Sequence, residues 1–236
     1  MSSLKNDAVA AGQSLFSSSS TQMHALGEKL VTGDGREFRY CKAGATALVP
    51  GTLQQASAEV TASQNLTAVA AAIGDTAIAS TSTITAAANA FAGGYVVVTV
   101  TPGQGYAYKI KSHPAYTAAA PTFQLEDSVQ VALTTSSRLD LVASPYSAVV
   151  INPTTATSLP IGAAIYPVAA AEFGWLQVKG PAPLLADGTV VVGTSLVASN
   201  GTAGAAEAAT GVQALIGTAV TGIATTEYGM VNLALA

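Results

Sequence analysis

The chain has 236 residues, half of them hydrophobic, yet only 6% are aromatic and 9% charged, with a net charge of −4. It has no clustered Lys and Arg to neutralise phosphates, which argues against a nucleic-acid partner. Its longest uncharged stretch, residues 76–108, is studded with Thr, Ser, Asn and Gly, unlike the roughly 20 apolar residues of a membrane span.

From the N-terminus, Lys5, Asp7, Gly12 and Gln13 interrupt any apolar core of a signal peptide. The expectation is a protein made in a cytoplasm, so the sequons at Asn65 and Asn200 carry no weight. "SSSST" at 17–21 reads as a flexible arm. Next comes an unusual concentration of charge. Of nine basic and 13 acidic residues, seven (Glu28, Lys29, Asp34, Arg36, Glu37, Arg39 and Lys42) crowd into 28–42, whereas from Ala43 to Tyr108 only Glu59 and Asp75 are charged. "EKLVTGDGREFRYCK" reads as a hairpin around Asp34-Gly35, which supplies the positive φ of a tight turn. On an extended strand Arg36, Phe38 and Tyr40 share one face, with Glu37, Arg39 and Cys41 on the other.

Beyond the hairpin the apolar residues alternate at period two. Strands are expected at 94–100, 106–112, 122–125, 129–133, 138–144, 148–152, 174–180, 189–198, 216–222 and 229–236, with "TPGQG" (101–105) as a hairpin loop. Regular punctuation by turn residues is the pattern of an all-β sandwich or barrel. Helical signals are thin: residues 85–91 suit a single turn, and the Ala-rich 203–215 has a propensity that Gly204 and Gly211 weaken. Proline-marked boundaries at Pro50, Pro153–Pro160 and Pro181–Pro183 divide the chain into 1–55, an arm with a charged hairpin; 56–155, a central antiparallel β region; and 156–236, a C-terminal β unit.

Chemistry finds little purchase. His24 and His113 lie far apart in sequence, and His113 precedes Pro114 at a strand end, where a turn role is expected. Glu126 and Asp127 are adjacent, so on a strand they face opposite sides. No nucleophile elbow, zinc-protease helix or Walker loop occurs. "GQG" (103–105) lacks the third glycine and following helix of a dinucleotide fingerprint, and the aspartates follow no calcium-loop spacing. Cys41, the single cysteine, excludes an internal disulfide and a cysteine metal cage. The expectation is no enzyme, cofactor or metal site. Trp175 and the tyrosines suit core packing better than sugar stacking.

"LGEKLVTGDGREFRYCKAG", then "AFAGGYVVVTVTPGQGYAYKIKSHPA" and "LEDSVQVALTTSSRLDLVASPYSAVV", resemble virion structural proteins of tailed bacteriophages, above all capsid decoration (cement) proteins. "GPAPLLADGTVVVGTSLVAS", ending in "IGTAVTG" and "MVNLAL", is similar to the small β-barrel decoration modules of that family. The resemblance runs from Leu26 to the C-terminus, with 56–92 matching no clear motif of the family. It implies a mainly β protein with a C-terminal β-barrel-like decoration module. It also implies a homo-oligomer, often a trimer, attached outside a major capsid protein lattice, made in the host cytoplasm and carrying no catalytic residues.

On that footing the hairpin is expected to be the capsid or subunit interface, through Arg36, Glu37, Phe38, Arg39 and Tyr40, with forked arginine bonds to carboxylates. Self-association is also expected from composition, since small apolar side chains limit what one subunit can bury. The alternatives are a carbohydrate-binding or adhesive β protein on the virion surface, using Trp175 and nearby tyrosines, and another shell or tail-tube subunit.

Overall fold

The period-two alternation is realised as strands: 44% of the chain is β and 1% helical, in curled antiparallel sheets that form half-barrels. The structure, a computed structural model, describes residues 9, 10 and 12–235. Its contacts fall into two compact units. One is built from the described residues up to Ala58 together with those from Pro145 onward; the other, Glu59–Ser144, is inserted between them. The described residues of 1–55 and 156–236 therefore share a unit, and residues 145–155 belong with them.

In the inserted unit a six-stranded sheet runs in the order Leu66–Thr67, Arg138–Val142, Tyr95–Val100, Ala107–Ser112, Thr122–Leu125, Ala77–Ala79. Its two edges meet: Ala68 bridges Ser80, and the Val69 and Thr81 amides donate to the Ala79 and Thr67 carbonyls at 2.9 Å each. Closure removes the unpaired edges that an open sheet would expose. Alternate residues Val96, Val98, Tyr108, Ile110, Phe123, Leu125, Leu139 and Leu141 point into one core. Burying each contributes roughly 1.5–3 kcal/mol. The expected hairpin across 101–105 is present.

Two local expectations fail here. Residues 129–133 form no strand: Val129 and Leu133 are buried, but Leu133 makes only a single bridge, to Ala71. Residues 85–91 hold no helical turn, because Ile84–Ala86 is a strand paired with Tyr116–Ala119. The turn that follows is organised by His113. Its Nε2 accepts the Phe91 amide at 3.0 Å, its Nδ1 lies 2.8 Å from the Pro114 carbonyl, and its ring stacks on Tyr116.

The other unit is organised around the 13-residue strand Phe173–Leu185. Its first half lies between Pro160–Ala164 and Glu37–Lys42, and its second half pairs with Tyr228–Ala234. The sheet continues through Leu215–Ala219, Ser195–Ala198 and Ala206–Ala208. The expected break at Pro181 and Pro183 does not occur. Leu185, of the same parity, donates to the Gly51 carbonyl on the side away from Tyr228–Ala234. The amides the prolines lack would have pointed to that side too, where Glu37–Lys42 has already ended at Lys179. Residues 203–215 also depart from helix: Ala206–Ala208 pairs with Ser195–Ala198, and Ala206 fills the same core as Leu184, Leu196, Ile216 and Val231.

Candidate attachment hairpin

The charged segment folds as the alternation implies, with Lys29–Val31 antiparallel to Glu37–Lys42. Gly35 takes φ +83° at the turn, where a side chain would be strained. Asp34 fastens the turn: the Thr32 hydroxyl donates to its carboxylate, and Arg36 Nε lies 2.7 Å from its Oδ2. These bonds, the Thr32 one foremost and the Arg36 one next, hold the Asp34 carboxyl down at about 2. Glu37 sits between two lysines, with Lys29 Nζ at 2.6 Å and Lys179 Nζ at 3.3 Å. The Lys29 bond, more than the Lys179 bond, keeps its carboxyl below the ordinary range.

Glu37–Lys42 is clamped between Lys29–Val31 and Phe173–Leu185. From Phe38 to Cys41 both of its faces are spent inside the chain. Phe38 and Tyr40 are fully buried with Leu15, Phe173 and Trp175, while Cys41 packs on the opposite side with Leu48, Val149 and Leu176. Tyr40 donates its hydroxyl to Gln13 Oε1 at 2.6 Å and lies 5.0 Å from the Trp175 ring. Burial raises its pKa, and burial pushes the Cys41 thiol up to about 12, which makes it inert. Arg39 lays its stem inward and donates from Nη1 to the Gly27 carbonyl at 3.0 Å. The guanidinium of Arg36 lies 5.5 Å from the Phe38 ring.

Of the five expected interface residues, Phe38 and Tyr40 are therefore core, and Arg39 is committed to the chain's own backbone. Arg36 and Glu37 remain on the accessible side. The edge strand Lys29–Val31 joins them, pairing on one side only among the described strands, with Lys29 and Val31 exposed. Lys29 and Lys179 are the members that sequence reasoning missed. Lys179 lies 142 positions from Glu37, so no local signal connects them.

The arm is not a loose tether. Ser19 exchanges two backbone bonds with Phe173, at 2.8 and 3.0 Å, and Ser18 donates to Glu172 at 2.5 Å. Gln13 Nε2 donates to the Phe173 carbonyl at 3.0 Å, and Leu15 enters the aromatic core. His24 closes this strap, its ring 5.2 Å from Trp175 and its Nδ1 3.0 Å from Glu28.

The candidate catalytic and stacking groups are dispersed. His24 and His113 belong to different units, and no group of three His, Cys, Asp or Glu among the described residues is placed to hold a metal. Trp175 is 1% exposed and offers no face to a sugar. Among the described residues no helix is long and apolar enough to cross a membrane. Set against known proteins, the chain matches no family model, no curated protein and no solved structure.

Proposed function

We propose that this chain is a non-enzymatic virion structural protein that binds the outside of an assembled bacteriophage capsid and stabilises it. The observation that supports the reading best is the hairpin's construction. A charged edge strand and turn are presented outward, while the partner strand is locked into an aromatic core and a 13-residue strand. An attachment element fixed in this way loses little conformational entropy on binding. Its unpaired backbone edge can extend a sheet of the shell protein, and Arg36 and Lys29 can meet carboxylates on the lattice. The proposed partner is thus the major capsid protein lattice, the location the virion surface, and the mode of action many identical copies.

The two arginines are expected to separate attachment from folding. Arg36→Ala removes an exposed ion pair, which contributes at most about 1 kcal/mol to stability. It should leave the melting temperature nearly unchanged yet weaken binding to purified shells about tenfold. Arg39→Ala removes the bond to Gly27 and a partly buried stem, and should cost about 1–2 kcal/mol of stability. Co-sedimentation with shells and thermal unfolding read the two effects. Full attachment by Arg36→Ala, with a large fall in its melting temperature, would show the hairpin to be internal scaffolding.

A further inference from the structure

The larger unit is one small barrel built twice. "IGAAIYPVAAAEFG" (161–174) recurs as "IGTAVTGIATTEYG" (216–229), and the strand pairing recurs with it. Trp175 faces Tyr40 and Gln177 faces Phe38, as Met230 faces Pro183 and Asn232 faces Pro181. Pro160 faces Gln55 and Gly162 faces Gln54 across a register shift; Leu215 faces Val197 and Gly217 faces Leu196 across the same shift. Each copy closes by a parallel bridge, Ala43 to Val149 in one and Ala186 to Ala206 in the other. Left-handed backbone positions coincide too: φ is +72° at Gly51 and +82° at Gly193, +60° at Ala171 and +67° at Thr226. A side chain on Gly174 would meet Val168 at 2.5 Å, and one on Gly229 would meet Ile223 at 2.3 Å. The same close packing therefore requires the same glycine in both copies.

The copies share the strand Phe173–Leu185, whose first half ends one barrel and whose second half begins the next. They also share a core, in which Leu53 and Ala163 of the first pack with Leu184, Leu196 and Val231 of the second. Their first strands differ at the edge. Tyr40 donates its amide to the Glu28 carbonyl at 3.0 Å, whereas the equivalent Pro183 has no amide to offer a further strand. The charged hairpin is thus an addition to the first copy alone.

One connection also differs. Between Leu53–Gln55 and Val150–Ile151 the first copy carries the whole of Glu59–Ser144. At the equivalent point the second passes from Ser195–Ala198 to Ala206–Ala208 through a short loop, 199–205. The barrel therefore closes without the inserted unit. That unit has a core of its own, every residue of which lies between Leu66 and Leu141. Its two ends are neighbours: Leu66 pairs with Leu139, and the Asn65 amide donates to Asp140 Oδ1 at 2.7 Å. A domain whose ends lie side by side can enter a host loop without stretching it.

We infer that the chain is a host of two fused barrel repeats carrying Glu59–Ser144 as a guest, and that shell attachment belongs to the host alone. The division into host and guest stands on the geometry above. The assignment of attachment rests on the proposed role of the hairpin Lys29–Val31 and Glu37–Lys42, which lies in the host.

The test keeps the full chain and unfolds only the guest. Phe123 is fully buried in the guest core. Phe123→Asp should lower amide-exchange protection within 59–144 by about a hundredfold or more. Amides around Leu53, Leu196 and Val231 should exchange as in the wild type, and co-sedimentation with purified shells should be unchanged. Leu196→Asp, in the core that both repeats share, should instead expose amides of both repeats, abolish co-sedimentation and leave the guest protected. Gly94→Ala is a milder guest variant and decides the same question if Phe123→Asp precipitates. Loss of protection in both units from a guest variant overturns the division into host and guest. A guest variant that keeps the host protected, yet no longer binds shells that the wild type binds, overturns the assignment of attachment. Shells that fail to bind even the wild type contradict the role of the hairpin, and amide exchange still decides the division.

Discussion

Replacing Trp175 with Ala is expected to cost about 3–5 kcal/mol, the range for deleting a large buried aromatic. Trp175 is 1% exposed and lies within 5.0–5.2 Å of the Tyr40 and His24 rings, so its loss opens a cavity under the docked arm as well as in the core. Against a typical domain stability of about 5–15 kcal/mol, that is roughly a fifth or more of the total. Trp175→Phe should cost less than half as much. The ring volume is largely kept, and the indole N–H it removes has no hydrogen-bond partner. The cluster around Trp175 lies wholly in one unit, so denaturation followed by amide exchange should show the loss around Phe38, Tyr40 and Phe173 and leave the inserted unit's protection unchanged. Equal losses for Ala and Phe, or a uniform loss across both units, would contradict this description of the core.

The inserted unit has its own point of greatest sensitivity. Gly94→Ala is expected to destabilise it by about 3 kcal/mol or more, at the upper end of overpacking effects. A Cβ at Gly94 would lie 2.1 Å from the Val142 carbonyl oxygen and 2.9 Å from the Ala143 carbonyl carbon and the Ser144 nitrogen. These are backbone atoms of the neighbouring chain segment, and relief requires prising that segment from the strand Tyr95–Val100. Gly211→Ala, with nothing within 4 Å of the added carbon, should change stability by no more than a few tenths of a kcal/mol. Thermal unfolding of both variants makes the comparison. A Gly94→Ala protein that melts like the wild type would show that the barrel at this point is looser than its geometry indicates.

What could be read from the residues was mostly local. The hairpin of 28–42 and the loop at 101–105 were visible because turn and strands lie within a few residues of one another, and the mainly β class followed from alternation. Long-range pairing was not visible. Pro181 and Pro183 look like a boundary until it is known that Glu37–Lys42 stops at Lys179. The arm of 17–21 looks loose because its partners, Glu172 and Phe173, lie more than 150 positions away. Leu53–Gln55 and Pro160–Ala164 are short, and one of them carries two buried glutamines, so neither shows the pattern of a half-buried strand. At the candidate site, crowding of charge located the hairpin. The division of its residues between core and surface needed the burial of Phe38 and Tyr40 and the distant Lys179.

The central claim is that many copies of this protein hold an assembled shell together. A ligand that binds the intact lattice and not its dissociated subunits stabilises the assembly by RT ln(1 + [L]/Kd) per site, about 2.7 kcal/mol at a hundredfold excess over Kd. Summed over a shell, even a smaller term becomes decisive. The direct measurement is the temperature at which heated particles release their DNA, compared between particles saturated with the protein and particles lacking it. The account predicts release at a clearly higher temperature when the protein is bound. Identical release temperatures at full occupancy would contradict it.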